Sequence, residues 1–116
     1  MDVELTVRFT AERWHRWPEA KGVRGYLAHT HRHLFHVEVT TLDDFDDPAE
    51  LNDRSLELHD LLDLSKSLFG QLVPSQSDMS VETMAYVMAK ELSNAHGSVR
   101  VTVFEDGEVG ATLSYP

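Results

Sequence analysis

The 116-residue chain predicts an α+β domain: a four-stranded antiparallel sheet with two helices on one face, in the order strand, strand, helix, helix, strand, strand. Three observations predict it. Residues 2–10 alternate apolar and polar side chains with the two-residue period of a half-buried strand, and residues 31–42 form a second strand. Residues 54–71 and the stretch after Ser80 switch to helical spacing. Two further alternating runs, 98–105 and 109–115, flank Asp106-Gly107, a strong two-residue hairpin signal.

In the first strand Val3, Leu5, Val7 and Phe9 form one face and Glu4, Thr6, Arg8 and Thr10 the other. Residues 16–28 contain Pro18, Gly22 and Gly25 and read as a long loop, of a length that in compact domains is usually functional or mobile. The second strand, from about His31 to Leu42, carries Phe35, Val37 and Val39 on its apolar face, and an acidic turn broken by Pro48 follows. In the first helix, Arg54 to Gln71, the residues Leu58, Leu61, Leu62, Leu68 and Phe69 recur at helical spacing, and Gly70 supplies a stop. Ser80 is a good N-cap for the second helix, with Glu82 in the first turn where the helix dipole favours negative charge. Val81, Met84, Ala85, Met88 and Leu92 give its apolar stripe, and Asn94, His96 and Gly97 end it. The third strand places Val99, Val101 and Val103 on one face; the fourth turns Val109, Ala111, Leu113 and Tyr115 inward.

The length fits one domain, 1–116, able to bury a real core, and 41% hydrophobic residues exclude a disordered chain. No apolar run approaches the roughly 20 residues of a membrane span. The acidic start Met1-Asp2-Val3-Glu4 lacks the basic and apolar regions of a secretory signal, so a cytoplasmic location is expected. The absence of cysteine excludes disulfides, thiolate ligands and cysteine nucleophiles. A formal net charge of −10 argues against a nucleic-acid surface, which needs a basic patch.

Chemistry concentrates in His29-Thr30-His31-Arg32-His33-Leu34-Phe35. In an extended strand His29, His31 and His33 share a face with the apolar row Phe35, Val37 and Val39. Imidazole is the commonest protein ligand for a metal such as zinc. Two histidines two apart on a strand can grip one ion, and a third ligand must come from elsewhere. His15, in Trp14-His15, is the obvious donor. The competing reading is a polar edge strand with solvated histidines. Glu105 continues the row Val99, Val101, Val103 and so points inward, or else the strand simply emerges into solvent at the turn.

With these elements in place the chain resembles the 6-pyruvoyl-tetrahydropterin synthase family, which includes the 6-carboxytetrahydropterin synthases. Phe9, Ala11 and His15 stand in for the family's Phe-x-Ala…His. His31-Arg32-His33-Leu34-Phe35-His36-Val37 stands in for His-Gly-His-Asn-Tyr-x-Val. Ser80-Val81-Glu82-Thr83 matches the helical Pro-Thr-x-Glu-Asn, and Val101 to Glu105 the late strand ending in Glu. The resemblance implies the tunnelling fold, closed into a barrel by oligomerisation as a hexamer of two stacked trimers. It implies zinc held by His15, His31 and His33 with one position open to substrate oxygens. It also implies that Glu105 binds a pterin or purine-like ring. The activity expected is that of a zinc-dependent carbon–oxygen lyase or synthase acting on a dihydropterin.

The departures are specific. The family's cysteine, four residues before His-x-His, falls near Leu27, and residues 70–79 lack the family's Asp-His pair. Arg32 replaces the glycine between the histidines. His29 and Glu12 are the expected substitutes for the missing acid and base. Glu57 and Asp60, sharing a helix face beside His59, are a further set. His36 points to the opposite strand face and His96 caps a helix. The alternative to catalysis is a zinc-containing binding module for a pterin, deazapurine or nucleotide.

Overall fold

The computed structural model describes residues 1–44, 46–52 and 58–116. Its elements are β1 (Asp2–His15), β2 (His31–Asp44), α1 (Leu58–Leu72), β3 (Gln76–Ser77), α2 (Val81–His96), β4 (Val99–Glu105) and β5 (Val109–Tyr115), with 3-10 segments at Gly22–Ala28 and Pro48–Asn52. The protein is a mixed α+β structure built on one curled sheet in the order β3-β1-β2-β4-β5.

The sheet departs from the expected four antiparallel strands. β1, β2, β4 and β5 pair antiparallel, but β3 adds a fifth strand that runs parallel to the end of β1, pairing Gln76 with Trp14 and Ser77 with His15. The chain leaving α1 reaches β1 through Trp14 N–H, which donates to the Ser75 carbonyl at 2.8 Å.

Odd-numbered residues of β1, β2 and β4 face the helices. Phe35, Val37, Val39, Val101 and Val103 pack there with Leu61 and Phe69 of α1 and Met84, Ala85, Met88 and Leu92 of α2. This row is dry because alternation sends the polar residues to the other face. The apolar stripe of α2 follows the spacing in the sequence, and Ser80 caps the helix by accepting the Thr83 N–H at 3.1 Å. Two expectations for α1 change. Leu58 is 42% exposed at the helix start, and Gly70 does not end the helix, which runs on to Leu72 because Val73 is buried and its N–H still bonds the Phe69 carbonyl. Val109 faces solvent rather than the core, at the hairpin end of edge strand β5.

The β4–β5 connection also differs from a bare two-residue hairpin. Asp106 and Gly107 both take positive φ, 53° and 74°, and Glu108 N–H closes the turn on the Glu105 carbonyl at 3.0 Å. The strands pair Glu105 with Val109, so Glu108 is an extra residue in the loop. That turn sends Asp106 back over β2, where its backbone N–H bonds the Leu34 carbonyl at 2.7 Å.

Candidate metal centre

The register of β1 against β2 assembles the site. β1 runs on past Thr10 to His15, pairing His15 with His31 and Arg13 with His33. All three histidines occupy odd positions and therefore share the face that carries the core. Their ring centroids lie 5.5 Å (His15–His31), 6.0 Å (His15–His33) and 4.5 Å (His31–His33) apart. One nitrogen of each ring lies within 4.8 Å of the others. Tetrahedral zinc with Zn–N bonds near 2.0–2.1 Å needs ligand nitrogens about 3.3 Å apart, so modest ring movement closes the set.

The remaining ring nitrogens are tied down. His31 Nδ1 donates to the His29 carbonyl at 2.8 Å, and His33 Nδ1 to Asp106 Oδ2 at 2.5 Å. His15 bonds the backbone of Met79. Holding the outer nitrogen of each ring fixes its tautomer and aims the other lone pair inward, the usual support of a metal-bound imidazole. The inward nitrogens His15 Nδ1 and His33 Nε2 are buried with no hydrogen-bond partner. A buried nitrogen without a partner costs about 1–3 kcal/mol, so two at one point call for a shared partner. A divalent cation satisfies both lone pairs at once. The donor set of three imidazoles suits zinc and is compatible with other borderline metals.

Burial holds the His15 imidazole below its ordinary pKa, opposed by its bond to Met79 and by Glu105. The Asp106 carboxyl is held below the usual carboxylate range by the Leu34 N–H first and His33 second. Glu105 flanks the triad, with Oε1 3.8 Å from His15 Nδ1 and Oε2 3.8 Å from His33 Nε2. A cleft of about 350 Å³ opens beside His15, His31 and Glu105. Trp17 and Leu27 from the 16–28 segment wall it, and Arg16 and Asp78, paired at 2.7 Å, stand at its side.

The structure brings His15, His31, His33 and Glu105 together and leaves the expected acid–base substitutes outside. His29 is not in β2. It ends the 3-10 segment with its ring exposed, so strand parity does not apply to it, and it offers the centre only its carbonyl. Glu12 occupies an even position, faces away from the histidines and pairs with Arg32 at 3.3 Å. His36 lies on that same outer face, as its parity requires. His96 closes the last turn of α2 before Gly97. Asp60 is exposed in the first turn of α1, while Glu57 lies outside the described residues. Sequence reasoning missed Asp106. Asp106-Gly107 reads as a turn, and nothing local marks the aspartate as the partner of a histidine 73 positions earlier.

No family model matches this chain, and no curated protein matches it.

Proposed function

We propose that the chain is a divergent member of the 6-pyruvoyl-tetrahydropterin synthase family with the tunnelling fold. In this reading it holds zinc at His15, His31 and His33 and acts as a synthase or lyase on a dihydropterin or related purine-like compound. The observation that carries the reading is the convergence of three imidazoles whose inward nitrogens, at His15 and His33, are buried and unpartnered. Zinc in such a site polarises a ligand carbonyl or hydroxyl and makes the neighbouring C–H acidic.

The chain's own residues do the rest. The His29 carbonyl, Asp106 and the Met79 backbone hold the outer imidazole nitrogens, so the triad is set before a ligand arrives. Trp17 and Leu27 offer apolar walls for a planar ring and keep water from its faces. Glu105 lines the same cleft and is the carboxylate available to the ligand's N–H edge or to a proton.

The second reading, a zinc-containing module that binds such a ring without turning it over, has its own support. The chain has no cysteine, and neither the His29 ring nor the Glu12 carboxylate faces the triad. Incubation of zinc-loaded protein with 7,8-dihydroneopterin triphosphate, followed by mass spectrometry, separates the two. Zinc-dependent conversion that is lost in His31→Ala supports the enzyme. Binding without conversion supports the module. Absence of both binding and conversion overturns the pterin reading.

A further inference from the structure

We infer that Glu105 is itself a metal ligand, completing a centre of three histidines and one carboxylate until a ligand displaces it. The inference rests on the zinc reading above and concerns what occupies its fourth position. Glu105 ends the inward row Val99, Val101, Val103, and Val99, Val101 and Val103 are buried while the Glu105 side chain is only 23% exposed. Its two oxygens face two of the three histidines, one 3.8 Å from His15 Nδ1 and the other 3.8 Å from His33 Nε2.

Those are the two nitrogens left buried and unpartnered. At 3.8 Å neither is hydrogen-bonded to the carboxylate, since such bonds run at about 2.7–3.2 Å. The contact is instead close to that between two ligands of one ion. Tetrahedral zinc, with Zn–N near 2.0–2.1 Å and Zn–O near 2.0–2.2 Å, separates a nitrogen from an oxygen ligand by about 3.3–3.5 Å. Each of these contacts is roughly 0.4 Å longer than a ligand–ligand spacing, so a turn of the carboxylate that aims one oxygen at the ion, together with the inward movement of the imidazoles, brings Glu105 into its coordination shell.

A carboxylate in that place neutralises one charge of a divalent cation in a half-buried site. An oxygen entering from the cleft takes its position and leaves the carboxylate free beside the newcomer. Asp106 cannot substitute, because it is already committed to His33 Nδ1 and the Leu34 N–H.

The test compares the parent protein with Glu105→Gln, which keeps the shape and removes the anionic ligand. Zinc affinity is measured by chelator competition and coordination by the visible spectrum of the cobalt-loaded protein. The inference expects zinc binding to weaken by more than about 100-fold, beyond the 10–100-fold typical of losing a group that only supports a ligand. It also expects the cobalt spectrum to change. A loss of 100-fold or less with an unchanged spectrum overturns it and leaves the three-histidine centre standing. A crystal structure of the zinc-loaded parent needs no variant. A Glu105 oxygen about 2.0–2.2 Å from the ion is the expected result, and one beyond about 3 Å overturns the inference. Failure of the parent to bind zinc or cobalt at all overturns both readings together.

Discussion

His33 depends on a residue 73 positions further along the chain. Asp106 accepts a hydrogen bond from His33 Nδ1 and, through its other oxygen, one from the Leu34 N–H at 2.9 Å, so one carboxylate fixes both the ring and the backbone beside it. Removing it frees the ring to turn and to adopt the other tautomer. Asp106→Ala should therefore weaken zinc binding by about 10–100-fold while metal remains bound at saturating concentration. Chelator competition measures this, and an unchanged affinity would show that His33 needs no such support. The three histidines were legible because their spacing carries parity, which is a local property of an extended chain. Asp106 was not legible, since its role exists only once β4 lies beside β2 and the turn reaches positive φ. His29 shows the converse failure: parity says nothing about a residue that lies before the strand begins.

At the scale of elements, alternation found all four long strands, and helical spacing found α1 and α2. It placed the end of β1 five residues early. Ala11 to His15 breaks the clean pattern with Arg13 and Trp14, yet Arg13 belongs to the inner face, where its guanidinium sits 5.1 Å from the Phe69 ring centre. The pairing with β2, not local pattern, carries β1 on to His15, and without it the third ligand would have no fixed place. The helix cap was readable because its chemistry is local. Ser80→Ala removes the acceptor of the Thr83 N–H and should cost about 1 kcal/mol, seen as a lower urea midpoint. The β4–β5 hairpin has a steric constraint that no periodicity reveals. A Cβ on Gly110 would sit 2.7 Å from Phe104 Cα and against the Val103 carbonyl. Gly110→Ala should therefore destabilise the protein by about 1–3 kcal/mol, and because Glu105 follows Phe104 it should also lower zinc affinity. A melt and a zinc titration matching the parent would mean that the hairpin yields without cost.

The whole molecule measures 56 × 23 × 22 Å, elongated along a sheet whose ends are not closed. Among the described residues β5 has a strand partner on one side only, and β1 is covered on its outer side only at Trp14 and His15. The sheet face away from the helices exposes Trp14, Leu34 and Phe104 among polar neighbours. Open edges beside exposed apolar residues favour pairing with further copies of the chain. The family resemblance implies two stacked trimers; taking it together with these open edges, we propose a trimer-based hexamer, and light scattering at micromolar concentration should report it. A monomer under those conditions would contradict the expectation. No helix among the described residues is long and apolar enough to cross a membrane.

The metal is the claim on which the functional account depends. Elemental analysis of the purified protein, after zinc loading and exhaustive dialysis, tests it most directly. The account predicts about one zinc per chain in the parent. It predicts loss of that zinc in the His31→Ala, His33→Ala double variant, which keeps β2 and its pairing with β1. Full zinc occupancy in the double variant, or no retained zinc in the parent, would contradict it.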